Sequence, residues 1–181
     1  MKILIKGVGR LGSQVAFLSM IKLKPEKILL SDIKDLNGDI LDLNNAANGL
    51  NIKTEITDKL EPTDYLIICA GVSRNLNLKD FKQLYLLNEP IITNIITDVK
   101  PFLKKDTKII VMTNPVNEIT DLVKKLLPDY YVSNTEEFLL KIRNGKELGW
   151  EIIKTKGYTN FGPAVSAILL IEKLEEIKHP V

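Results

Sequence analysis

Cysteine and histidine occur once each in the 181 residues, and each scarcity removes a class of chemistry. The lone thiol, Cys69, sits in the apolar run YLIICAG. It excludes an intrachain disulfide framework and points to a reducing compartment. Nothing beside it in sequence would lower its pKa, so it reads as a packed thiol rather than a nucleophile. The lone histidine, His179, lies in the terminal EEIKHPV, where a solvated side chain is the expected role. No metal centre is expected. The chain also lacks an excess of charge: 25 basic and 23 acidic side chains leave +2, which makes no case for nucleic acid or an anionic membrane. It lacks long hydrophobic runs too. Lys6 and Gly7 interrupt the opening apolar stretch too early for a signal peptide, and AILLI near the end is too short to span a bilayer. A soluble cytoplasmic protein is the expectation. Hydrophobic residues at 45% are enough for a packed core.

What is present is an alternation of short β-rich runs with longer helical patterns. KILIK (2–6), KILLS (27–31), NIKTEI (51–56), YLIICA (65–70) and TKIIVM (107–112) read as strands. Helical spacing runs from Leu11 through Val15, Leu18 and Ile21, over 36–47, from about Lys79 to Leu103 with Pro90 inside, and over EITDLVKKLL. Continuous apolar strands alternating with helices predict an α/β fold, a Rossmann-type doubly wound parallel sheet. After Pro128 the pattern changes to two helices, 136–156 and 163–176, separated by KGYTNFGP. The expected division is therefore 1–127 for the sheet domain and 128–181 for a reduced helical remnant.

Between the first strand and the first helix stands IKGVGRLGS, with Gly7, Gly9 and Gly12 in a G-x-G-x-x-G pattern. The pattern follows a strand, opens a helix and is followed by Asp32 at the end of the second strand. That context predicts a dinucleotide site. Gly7 permits the tight turn, Gly9 lets a pyrophosphate approach the backbone, and Gly12 lets helix and strand pack closely. The helix amino terminus offers N–H groups to phosphate. The Asp32 carboxylate accepts hydrogen bonds from a ribose diol and repels a 2′-phosphate, favouring NAD over NADP. The plain alternative is a glycine-rich turn without a ligand.

At AGVSR (70–74), Asn88 and TNPVN (113–117) the chain resembles the NAD-dependent lactate/malate dehydrogenase family, and GVGRLG resembles its archaeal malate dehydrogenase members. The likeness covers 1 to about 127 and resumes over 145–181. The resemblance implies that Gly7 to Gly12, with Arg10 and Leu11 between, hold the pyrophosphate and Asp32 the adenosine ribose. It implies that Ala70 and Gly71 line the cofactor groove, that Asn88 contacts cofactor, and that Met112 to Asn114 meet the nicotinamide. Asn114 would also face substrate, next to a cis Asn114–Pro115 bond. Arg74 falls where malate-specific members carry an arginine, which suits the second carboxylate of a dicarboxylic 2-hydroxy or 2-keto acid. Thr159 falls in the implied substrate pocket. A polar helix residue is the plain alternative for Asn88, and a helix cap after Gly157 is the alternative for Thr159.

The same resemblance exposes departures. The family's proton-donor histidine in a G-E-H-G-like loop and its L-D-x-x-R segment are absent from the sequence. Glu136 and Arg143 in SNTEEFLLKIR are poor substitutes. The mobile loop reads NLNLKDF: Asn77 replaces a glycine, and Asp80 or Phe81 replaces a second arginine. Lys79 or Lys82 would bring charge there, but no bidentate fork. No catalytic residue is therefore assigned. The missing stretch is expected between about Val132 and Thr135 and after Val181. Three readings follow: a malate dehydrogenase-family oxidoreductase, a non-catalytic NAD-binding or assembly module descended from it, or a different Rossmann enzyme using Lys82 or Tyr85. The helices at 145–156 and 163–176 resemble those of family subunit contacts, so a homo-oligomer is expected.

Overall fold

A computed structural model describes residues 1–74, 78, 80–142 and 147–178. Six strands form one parallel sheet: β1 (Lys2–Lys6), β2 (Lys27–Ser31), β3 (Glu55–Thr57), β4 (Thr63–Ile68), β5 (Leu103–Val111) and β6 (Tyr131–Asn134). Their order is β3-β2-β1-β4-β5-β6. The chain therefore winds outward from β1 in one direction and from β4 in the other, and leaves a crevice beyond the carboxyl ends of these two strands. The register is continuous across the middle, with Ile3 beside both Ile28 and Tyr65, and Leu66 beside Ile109.

The apolar runs are continuous because both sheet faces are covered. Ile3, Ile5, Ile28, Leu30, Tyr65 and Ile67 point to one face, where α1 (Gly12–Lys22) brings Val15, Ala16 and Met20. The last helix, α7 (Phe161–Lys178), joins the same core through Ala164, Ala167, Leu170 and Ile171. Leu4, Leu29, Leu66, Ile68 and Ile109 point to the other face, against α3 (Phe81–Val99) and α4 (Val116–Leu126). Helix α2 (Asn37–Gly49) precedes β3, and α5 (Glu136–Ile142) and α6 (Glu147–Lys156) precede α7. Polar contacts fasten α7 to the sheet. The Tyr65 hydroxyl donates to Glu175 Oε1 at 2.5 Å, and Lys108 Nζ donates to the carbonyl of Leu174 at 3.1 Å. Burial, reinforced by the Glu175 carboxylate, pushes the Tyr65 phenol well above its ordinary pKa.

Several boundaries differ from the sequence reading. The third strand spans only Glu55–Thr57, because α2 runs on to Gly49 and Asn51 turns at φ 54°. The helix expected to reach Leu103 ends at Val99. A 3₁₀ turn with Pro101 follows, and Leu103 already opens β5. The helix expected over 136–156 is described as α5 and α6, with 143–146 outside the described residues. Strand β6 lies past the division expected after residue 127, yet its Val132 pairs with Ile109 in the same sheet. Only Val132 of its four residues is buried, so the segment carries no alternating apolar signal. Asn77, Lys79, Arg143 and His179 lie outside the described residues. Because α7 completes the core beneath β1, Ile171→Ala is expected to lower the stability of the whole sheet by about 2–5 kcal/mol. Urea unfolding should show one transition at a lower midpoint. A separate early transition confined to the last helices would contradict the shared core.

Candidate functional site

The crevice is built where β1 and β4 end side by side. The amides of Cys69 and Ala70 both donate to the carbonyl of Lys6, at 2.8 and 2.9 Å, and the amide of Gly7 donates to Ser31 at 2.8 Å. This closeness dictates the first glycine. Gly7 has φ +95°, and a Cβ there would run into the backbone of Ala70. Gly12 is constrained from another side: a Cβ there would collide with the carbonyl of Gly7, so the helix could not sit so near the strand. Gly9 is different. Nothing lies within 4 Å of where its Cβ would stand, so its backbone borders open space. Leu11 supplies no side-chain cap to α1; the Ser13 amide donates to the Gly9 carbonyl at 3.0 Å, and the rest of the first turn is without a side-chain cap that would compete with an anion. A loop open at Gly9 below an uncapped helix start fits a pyrophosphate.

Asp32, at the end of β2, is tied to this loop. Its Oδ2 accepts from the amide of Val8 at 2.5 Å, and its Oδ1 from that of Ile33 at 2.7 Å. The sequence assigned Asp32 only to the ribose. The structure adds that it shapes the glycine loop, a bond between segments that periodicity does not show. Ile33 beside it is fully exposed, an apolar side chain with no protein neighbour covering it at the crevice edge.

The second wall consists of the loop 70–74 and the segment after β5. Gly71 has φ +139°, and a Cβ there would stand 2.7 Å from Thr113 Cγ2. The Thr113 hydroxyl donates to the carbonyl of Ala70 at 2.7 Å. Asn88, on α3, is fully buried. Its Oδ1 accepts from the amide of Val72 at 2.6 Å, and its Nδ2 donates to the carbonyls of Val72 and Asn114 at 3.1 and 2.7 Å. It thus clamps both loops. The Asn114–Pro115 bond is cis, and Asn114 is exposed at the lip. Met112 packs in the core below, with its sulfur 3.7 Å from that of Cys69. Burial pushes the Cys69 thiol up to about 12, as suits a packing role.

Arg74 lies against two aromatic rings, its Cζ 4.5 Å from the Phe81 ring centroid and 3.8 Å from that of Trp150. Its Nε is enclosed and has no hydrogen-bond partner among the described residues. Arg10 Cζ stands 4.3 Å over the ring of Tyr158, and Asn160 Nδ2 donates to the Arg10 carbonyl at 3.4 Å. The turn after α6 therefore lies against the glycine loop. Thr159, in that turn, lines a separate cavity of about 150 Å³ with Ile142, Leu148, Ile152 and Phe161, on which Arg74 does not border. Trp150 and Tyr158 were not singled out in the sequence, and Phe81 only as a residue in the place of a second arginine. Their partners lie in distant segments and only the fold pairs them.

Other candidates have local roles. Asp80 Oδ1 accepts from the amide of Lys82 at 2.9 Å and caps α3. The Tyr85 hydroxyl donates to Glu89 at 2.9 Å, and burial raises its pKa. Glu136 accepts from Asn117 Nδ2 at 2.8 Å. Among the described residues no group of three metal-ligating side chains occurs, and no helix is long and apolar enough to cross a membrane.

Removing the clamp should be costly. Asn88→Ala strands the amide of Val72 and two carbonyls, and a loss of about 1–3 kcal/mol is expected. Urea unfolding gives the loss, and hydrogen exchange should speed up at the Val72 amide.

Comparison with known proteins agrees with this geometry. Residues 1–130 match the sequence model of the lactate/malate dehydrogenase, NAD binding domain. Malate dehydrogenase of Staphylococcus carnosus (strain TM300) is 29% identical over 133 residues, covering 69% of this chain and 42% of that protein. Malate dehydrogenase of Archaeoglobus fulgidus is 30% identical over 132 residues, covering 69% and 44%. The chain thus spans under half the length of these relatives. The solved structure of the Archaeoglobus fulgidus malate dehydrogenase in complex with NADH superposes with a TM-score of 0.83 at 24% identity, over 97% of this chain and 78% of that one. The minor L-lactate dehydrogenase of Enterococcus mundtii gives 0.78 at 18% identity, over 91% and 74%. These likenesses extend the fold match through α5 to α7. The glycine loop, the sheet order and the matched residues together make the chain a member of the lactate/malate dehydrogenase family, with its NAD-binding domain in residues 1–130.

Proposed function

We propose that the chain binds NAD across the β1–β4 crevice and belongs to an oxidoreductase system interconverting malate and oxaloacetate. The observation that carries the reading is the open backbone at Gly9 beside the Asp32 carboxylate. The Gly9 to Gly12 backbone and the start of α1 would take the pyrophosphate. Asp32 accepts from the amides of Val8, Ile33 and Lys34, and its remaining acceptor site, on Oδ2, would take a ribose hydroxyl. Exposed Ile33 supplies an apolar rest for the adenine face. Ala70 and Gly71 form the facing wall. Arg74 would pair with a dicarboxylate, and Asn114 at the lip would orient substrate against the nicotinamide. Bound NAD supplies the hydride acceptor.

The chain's own groups stop short of a full acid–base set. Its one histidine, His179, lies outside the described residues. Acid–base catalysis is worth about 10²–10⁴ in rate. The second reading, an NAD-binding module without turnover, draws its support from that gap. A calorimetric NADH titration should show binding, and Asp32→Ala should weaken it by tenfold or more, about the value of a charge-assisted hydrogen bond pair. Absence of NADH binding would overturn the reading. Beside it, NADH oxidation by oxaloacetate should run at least about 10²-fold below that of a family enzyme carrying the histidine. An undiminished rate would reveal a different proton donor.

A homo-oligomer is also part of the proposal. Phe161, Val165 and Leu169 line one face of α7 at four-residue spacing, 61%, 38% and 37% exposed. A second copy of this chain would cover them. Light scattering should show more than a monomer's mass, and Val165→Glu should return it to the monomer. The small net charge and the single thiol support an intracellular setting without nucleic-acid partners.

A further inference from the structure

We infer that Trp150 and Phe81 are positioning residues that hold the Arg74 guanidinium edge-on between their rings, ready for a planar carboxylate. The inference rests on the assignment of Arg74 to carboxylate binding. Two unconnected segments converge on this side chain. Asp80 caps α3 and so fixes Phe81 as the first residue of that helix, below the loop that carries Arg74. Helix α6 brings Trp150 to the same guanidinium, at the shorter separation. Rings that flank the guanidinium would leave its N–H edge to a ligand, and the fork geometry matches a carboxylate lying in the same plane. The stack also removes rotamer freedom before a ligand arrives, so less is lost on binding. Meanwhile Nε is shut away from water without a partner among the described residues, and burial lowers the guanidinium pKa. A half-buried guanidinium with its Nε enclosed gains more from an incoming anion than a fully exposed arginine does. A residue serving only to tether α6 would have no need of a second ring, Phe81, within 4.5 Å of the same guanidinium.

Trp150 is the one tryptophan in the chain, so its emission reports on the stack directly. Arg74→Gln should change the intensity or the maximum of that emission, and an identical spectrum would overturn the geometry. The decisive measurement is calorimetric titration of L-malate into the NADH-loaded full chain, with lactate as the one-carboxylate comparison. Trp150→Ala should weaken malate about tenfold while NADH affinity stays within about twofold, and Trp150→Phe should restore most of the loss. Unchanged or tighter malate binding in Trp150→Ala would overturn the inference, tighter binding meaning that the ring covers Arg74 instead of presenting it. Equal losses for malate and lactate would also overturn it. A wild-type chain that binds NADH but no malate would overturn the carboxylate assignment itself, and this inference with it.

Discussion

The approach of β4's exit to β1's exit governs the rest of the structure. The two amides that cross to Lys6 bring the backbone of Ala70 against Gly7. Any side chain at Gly7 would force the strands apart. Separation there would open the sheet where its winding reverses, and the crevice exists only because that reversal is tight. The second glycine contact, Gly12 on the Gly7 carbonyl, sets α1 down on the sheet at the same place. Helix, strand and facing loop are thus located by a few atoms.

Around that point the polar groups work mainly on backbone. Asp32 holds Val8, Thr113 holds Ala70, and Asn88 holds both Val72 and Asn114. Each is a side chain satisfying main-chain groups that a ligand crevice leaves without ladder partners. The cost of an open, polar-lined cleft is met by these local brackets, and the apolar bulk of the sheet faces needs no part in it.

Much of this was readable from the linear chain. The glycine pattern, the strand ahead of it and the carboxylate after the second strand are local signals, and the structure places them around one crevice. Buried strands announced themselves as apolar runs. The edge strand β6 did not, because an edge needs only one buried residue here, Val132, and the rest of YVSN is polar. The aromatic pairs on Arg10 and Arg74 were invisible for a different reason. Cation–ring stacking has no period and no spacing rule, and α6 reaches the sheet side only through the tertiary fold. Asn88 was read as a group facing cofactor, and its buried bracket became apparent only when three hydrogen bonds could be traced.

The bond from Val8 to Asp32 has an evolutionary implication. The carboxylate proposed to face the coenzyme ribose is also a fastening of the glycine loop. A lineage shifting toward the phosphorylated coenzyme must give up this anion, and with it a restraint on the loop. Switching coenzyme preference here is coupled to loop order, so the replacement has to come paired with a compensating change near residue 8.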